Sequence, residues 1–111
     1  MGLAASQARL LMLTARLSDL RLQEQFISQA RMGLANIVGT LFSLSANLEP
    51  ESPQMQALQA RIAAIQAIDK SLELQMKRIE TQANATQQEI ESVQKIVNKA
   101  IESGFKYGGM G

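Results

Sequence analysis

At 111 residues the chain has room for one domain at most, and with no Cys, His or Trp it has no disulfides and no Cys or His metal ligands. Eleven basic and ten acidic residues leave a net charge of +1, so no global field draws it to nucleic acid or to a membrane surface. Abundant Ala, Leu, Gln and Glu with only two Pro favours long helix over sheet.

The chain opens Met-Gly-Leu-Ala-Ala-Ser, which fits an N-myristoylation pattern at Gly2, but no polybasic cluster follows to supply a second anchor. The apolar run from Leu10 to Leu13 is too short for the core of a signal peptide. A first helix is expected over about 3–46. Its apolar residues recur at alternating spacings of three and four: Leu3, Leu10, Leu13, Leu17, Leu20, Ile27, Leu34, Val38, Leu41 and Leu48. Ser6, Glu24, Arg31 and Ser45 interrupt that series with polar groups. The charge-free stretch from Met32 to Leu48 keeps the same period. It also contains Asn36, Thr40, Ser43, Ser45 and Asn47, which suits a packed helix better than a membrane span of about 20 apolar residues.

Glu49-Pro50-Glu51-Ser52-Pro53 breaks the helix and sets a turn over 47–52. Asn47 is suited to the left-handed position that closes a helix, and Pro50 prevents continuation. Ser52 can cap a second helix, with Pro53 at its first position, where a missing N–H costs nothing. That helix is expected over about 53–103 and to stop at Gly104. Its seam runs Met55, Leu58, Ile62, Ile65, Leu72, Met76, Ile79, Ala83, Ile90, Val93, Val97 and Ala100, interrupted by Asp69 and Thr86. Thr81 to Gln88 is the weak point, since Ala83 is thin and Asn84 and Thr86 could open a break that makes a three-helix chain. The unbroken form is expected because the seven-residue phase carries through. The Gly-rich tail, 104–111, holds Phe105 and Tyr107, which are either part of a frayed end or docked on a neighbouring subunit.

Folding the two series antiparallel about the prolines sets Ile62 against Val38, Ile90 against Leu10 and Arg31 against Asp69. A lone charge in a seam is costly, whereas opposite charges at one level satisfy each other and fix the register. The fold class is therefore all-α: a long antiparallel helical hairpin, coiled-coil-like, filling a single domain over 1–111.

Both helices carry a second apolar face. In the second, Ala57, Ala60, Ala64, Ala67, Ser71 and Leu74 form another series at helical spacing, away from the seam. In the first, the comparable face bears Met12, Ala15, Leu22 and Phe26, with Leu11 beside it. Nearer the bend, Ile37, Phe42 and Leu44 widen the apolar surface. Gly33 and Gly39 sit within the helix at a cost of about 1 kcal/mol each relative to Ala, which implies close packing of a neighbouring backbone. Alanines on an outer face need contact nothing, but Leu22 and Phe26 one turn apart call for a partner. Self-association is the economical answer, with Met12, Leu22, Phe26, the Ala57–Leu74 stripe, Phe105 and Tyr107 as candidate interface residues.

The inventory offers little to catalysis. Ser, Thr and Lys nucleophiles lack the His or Cys partners that usually activate them. Glu73 and Glu80, seven apart, read as edge charges of a coiled coil, and Gly108-Gly109 has neither the lysine nor the following helix of a phosphate loop. Arg9 and Arg16 flank the seam without the aromatic interleaving of a single-strand nucleic-acid surface. No catalytic, cofactor-binding or metal site is expected.

Two amphipathic helices joined by Pro50-Glu51-Ser52-Pro53-Gln54, followed by Met55-Gln56-Ala57-Leu58-Gln59, resemble the needle subunits of bacterial type III secretion systems. Those are Cys-poor helical hairpins with a Pro-x-x-Pro bend. The opening Gly2 to Ala8 is similar to the helical starts of flagellar axial proteins. The present helices are longer than is usual in the needle family, and the tail ends in glycines. The resemblance implies a structural subunit of a self-assembling exported filament or needle-like tube. It would lie outside the cell or at its surface without a cleaved signal peptide, with itself and proteins of a secretion apparatus as partners. The alternative is a cytoplasmic coiled-coil adaptor or export chaperone that binds a partner helix. In neither case is a transmembrane span or a nucleic-acid partner expected.

Overall fold

In the computed structural model of the chain, residues 2–108 are described, with side chains described through residue 104. Two long helices, α1 (Leu3–Ser45) and α2 (Pro53–Gly108), pack against each other as a helical hairpin with no strand among the described residues. α2 is unbroken through Thr81 to Gln88. Asn84 is on the exposed side there, Ala83 is fully buried, and the Thr86 hydroxyl donates to the Gln82 carbonyl at 2.8 Å. Its polar group is thus satisfied inside the helix that it was expected to weaken.

The bend is built differently from the expectation at one residue. Asn47 does not take a left-handed conformation; its N–H donates to the Leu44 carbonyl at 3.1 Å and that of Leu48 to Ser45 at 3.1 Å, tightening the end of α1. The left-handed residue is Glu51, at φ 65°. Pro50 explains the shift. The Ser52 N–H donates to the Glu49 carbonyl at 3.2 Å, which makes 49–52 a β-turn with Pro at its second position and a positive φ at its third, the type II pattern. The cap forms as the sequence suggests. Met55 N–H donates to Ser52 Oγ at 3.1 Å, Gln56 N–H to the Ser52 carbonyl at 3.0 Å, and Pro53 opens α2.

The far end of α2 also differs. Gly104 does not terminate the helix, which continues to Gly108. No glycine takes a positive φ among the described residues, so the left-handed closure that would end the helix at Gly104 is not made, and a single glycine costs a helix stability without stopping it. Phe105 and Tyr107 have side chains outside the described residues.

The chain divides into two compact units, each pairing a piece of α1 with a piece of α2. The first combines Met1–Leu22 with Ile79–Gly111. Its core is Leu13, Ile90, Val93 and Val97, with Leu10 and Leu17 packed against it. Leu20, Ile79 and Ala83 are buried in the same unit, as are two polar side chains, Ser6 and Thr86. Leu3 and Ala100, which the repeat assigns to the seam, are exposed. The second unit, Gln23–Arg78, contains the bend. Leu41 and Ile62 are its buried hydrophobic residues, flanked by half-buried Ile27, Leu34, Val38, Met55, Leu58, Ile65, Leu72 and Met76.

Candidate self-association surfaces

The register pair lies in the bend-containing unit. Arg31 Nε donates to Asp69 Oδ1 at 2.9 Å, and Nη2 donates to Oδ2 at 3.3 Å, a two-pronged contact. The hydrogen bond from Arg31, aided by its charge and opposed by desolvation, holds the Asp69 carboxyl below the usual carboxylate range. The same bond, with the nearby carboxylates of Asp69 and Glu73, raises the Arg31 guanidinium above its ordinary value. The pair is not buried, however: the two side chains are 34% and 37% exposed. Two helices cover a seam position from one side only, so water reaches the flank. At that exposure the contact marks a register more than it holds the fold together.

One turn along, Glu73 lies 3.4 Å from both Lys70 Nζ and Lys77 Nζ. The charge of Lys70 is the main reason its carboxyl sits below the ordinary range, with hydrogen bonds from both lysines contributing. The other unit has its own interhelical ion pair, Arg9 Nη2 to Glu89 Oε2 at 3.2 Å, about half exposed on each side. Arg9 thus engages a carboxylate of the same chain. Among the described residues no three His, Cys, Asp or Glu side chains gather to hold a metal ion, and no helix is long and apolar enough to cross a membrane.

The candidate interface residues are on the surface. Met12 is 73% exposed, Phe26 59%, and Leu22 and Leu74 are about half exposed. Ala57, Ala60, Ala64, Ala67 and Ser71 are exposed as well. Met12 and Leu22 belong to the first unit; Phe26 and the Ala57–Leu74 stripe belong to the second. Ile37, Phe42 and Leu44 are exposed beside the bend. Gly33 and Gly39 are not in close contact with any backbone of the chain: a Cβ at either would meet nothing within 4 Å. Both lie off the seam, so the close approach inferred from their presence is not made within the hairpin.

Met32, Ile68, Ile96 and Ile101 are further large exposed hydrophobic residues that the repeat did not single out. Ile68 directly precedes the seam position Asp69, and Met32 directly follows Arg31.

Around these residues the bend-containing unit has two shallow grooves. One is lined by Arg31, Met32, Ala35, Val38, Ile65 and Asp69 among others. The second, nearer the bend, is lined by Leu44, Leu48, Gln54, Ala57, Leu58 and Arg61, with Asn47. No family model, characterised protein or solved structure matches the chain, so its likeness to needle subunits rests on the bend and the hairpin plan alone.

Proposed function

We propose that this chain is a non-catalytic structural subunit that polymerises through the outer faces of its hairpin into a bacterial exported filament or needle-like tube. One observation carries the reading: among the described residues thirteen large hydrophobic side chains are exposed while nine hydrophobic residues are buried. Large apolar side chains grouped on a surface in this number mark an interaction site, whereas single ones scattered over it need no explanation. The exposed residues include Met12, Leu22 and Phe26 on α1 and Ile68 and Leu74 on α2, so both helices have surface to offer a neighbour. The partner is the chain itself, with proteins of a secretion apparatus as exporters; no cofactor and no nucleic acid takes part.

The grooves of the bend-containing unit favour a second reading, a cytoplasmic adaptor or export chaperone that holds a partner helix. The two separate in one experiment. Purified filament subunit pellets as large particles and shows helical order by negative-stain microscopy. An adaptor stays a small soluble oligomer until its partner is added, and a sedimentation profile of that kind at high concentration sinks the filament reading.

A further inference from the structure

We propose that copies of this chain join unlike flanks of the bend-containing unit, so that the contact between subunits is heterologous and propagates. The proposal rests on the self-assembly reading above and names the surfaces that meet. Ile37 and Leu44 each precede a seam position, Val38 and Ser45, by one residue, and Ile68 precedes Asp69. Met32 and Phe42 each follow one, Arg31 and Leu41. At about 100° per residue, one position before and one position after the seam fall on opposite sides of a helix. In an antiparallel pair the positions before the seam on both helices share a flank. The unit therefore has an Ile37, Leu44 and Ile68 flank and a Met32 and Phe42 flank, and all five side chains are about half exposed or more. Each flank has its groove: Leu44, Leu58 and Arg61 border one, Met32, Ala35 and Gln66 the other.

Two features identify a second copy as the occupant. The first is area. A folded monomer of this mass exposes about 6,000 Å², whereas the chain exposes 8252 Å². The surplus, about 2,200 Å², exceeds twice the roughly 800 Å² that each partner gives to a standard interface, which is room for more than one contact per subunit. The second is symmetry. A two-fold dimer uses one patch twice and would leave the opposite flank in water. Two apolar flanks on opposite sides, each covered by the other kind, leave neither wet except at the ends of a polymer. Both flanks carry charge as well as apolar surface: Arg31 and Asp69 pair with each other beside the Met32 groove, Glu73 lies between Lys70 and Lys77 on that same flank, and Arg61 borders the other groove.

The test uses two full-length variants that leave the seam intact: Ile37→Lys with Ile68→Glu, and Met32→Glu with Phe42→Lys. Circular dichroism first establishes that each is as helical as the wild type. Sedimentation velocity then reads the assembly state of each alone and of an equimolar mixture. The expected result is that neither variant polymerises alone, while the mixture forms 1:1 dimers, because the intact flank of one fits the intact flank of the other. Dimers formed by either variant alone mean like-with-like contacts and overturn the proposal. Polymers of wild-type size from either variant mean that its flank is not an interface, which also overturns it. If the wild type assembles and the mixture does not pair, the heterologous contact fails while self-assembly stands. A wild-type monomer at high concentration removes both.

Discussion

Replacing Leu22 with Glu and Phe26 with Lys should leave the isolated hairpin helical and raise its critical concentration for assembly by at least ten-fold. Leu22 is 47% exposed and Phe26 59%, so about half of each side chain remains to be covered by a neighbour. Complete burial of a Leu or Phe side chain is worth roughly 1.5–3 kcal/mol. Covering the exposed halves of both therefore contributes about 1.5–3 kcal/mol per contact, or roughly ten-fold to a hundred-fold in the association constant. Placing a carboxylate and an ammonium where apolar atoms were to be desolvated adds a further cost. Neither residue belongs to the seam, so far-ultraviolet circular dichroism should be unchanged. Pelleting against total protein concentration reads the critical concentration directly. If the double variant pellets at the wild-type concentration with particles of the same form, this face makes no contact and the area argument fails at its root.

Four other outcomes follow from the geometry. Glu51 holds a left-handed conformation that costs a non-glycine residue about 1–2 kcal/mol, so Glu51→Gly should raise the urea midpoint at unchanged slope despite glycine's larger unfolded-state entropy, while Ser52→Ala should lower the midpoint, with a stability loss of about 1 kcal/mol through the missing cap. A lower midpoint for Glu51→Gly contradicts the turn assignment. Gly39→Ala should stabilise the unassembled hairpin by about 1 kcal/mol, since a Cβ there meets open space; a destabilised monomer in thermal melts counts against this. Asp69 and Glu73 have depressed folded-state values, so their contribution to stability is complete above the unfolded carboxylate range near pH 4 and is lost as pH falls through the folded values. Arg31, raised, stays charged throughout that window. The melting temperature should decline below about pH 4, and Asp69→Asn should make the decline shallower; an Asp69→Asn profile parallel to the wild type argues that the pair does not couple to folding.

The seam was legible because one physical requirement, burial between two helices, selects every third or fourth residue along the chain. From Ser6 to Leu48 and from Met55 to Val97 every position of the repeat is at least half buried, the polar ones included. The level of Arg31 with Asp69 followed from the same count, because opposite charges were the only pair that could share it at low cost. The bend was less legible. Asn47 and Glu51 were decided by hydrogen bonds that each span four residues, and residue preferences name several ways to make them. Asn favours the left-handed position and Glu does not, yet Pro50 fixes the turn so that Glu51 must take it. Burial of the pair was left open for a related reason: a helical repeat says which residues face the partner helix, and it does not say whether anything covers the sides.

That missing cover is the physical link between this fold and its proposed role. A side chain between two helices is flanked by partner atoms on one side and by water on the other two. Among the described residues no large side chain falls below 2% exposure, even in the Leu13, Ile90, Val93 and Val97 cluster. The seam therefore sets which residues meet while burying each of them incompletely, and a hairpin of this length gains little stability from such a core alone. Each apolar residue beside the seam, from Ile37 and Phe42 near the bend to Ile68 on α2, widens a surface that a neighbouring helix would both cover and use to dry the seam beneath it. Stability and association then come from the same contacts. A chain built this way should melt at a higher temperature as its concentration rises, because subunit contacts add to the native state alone.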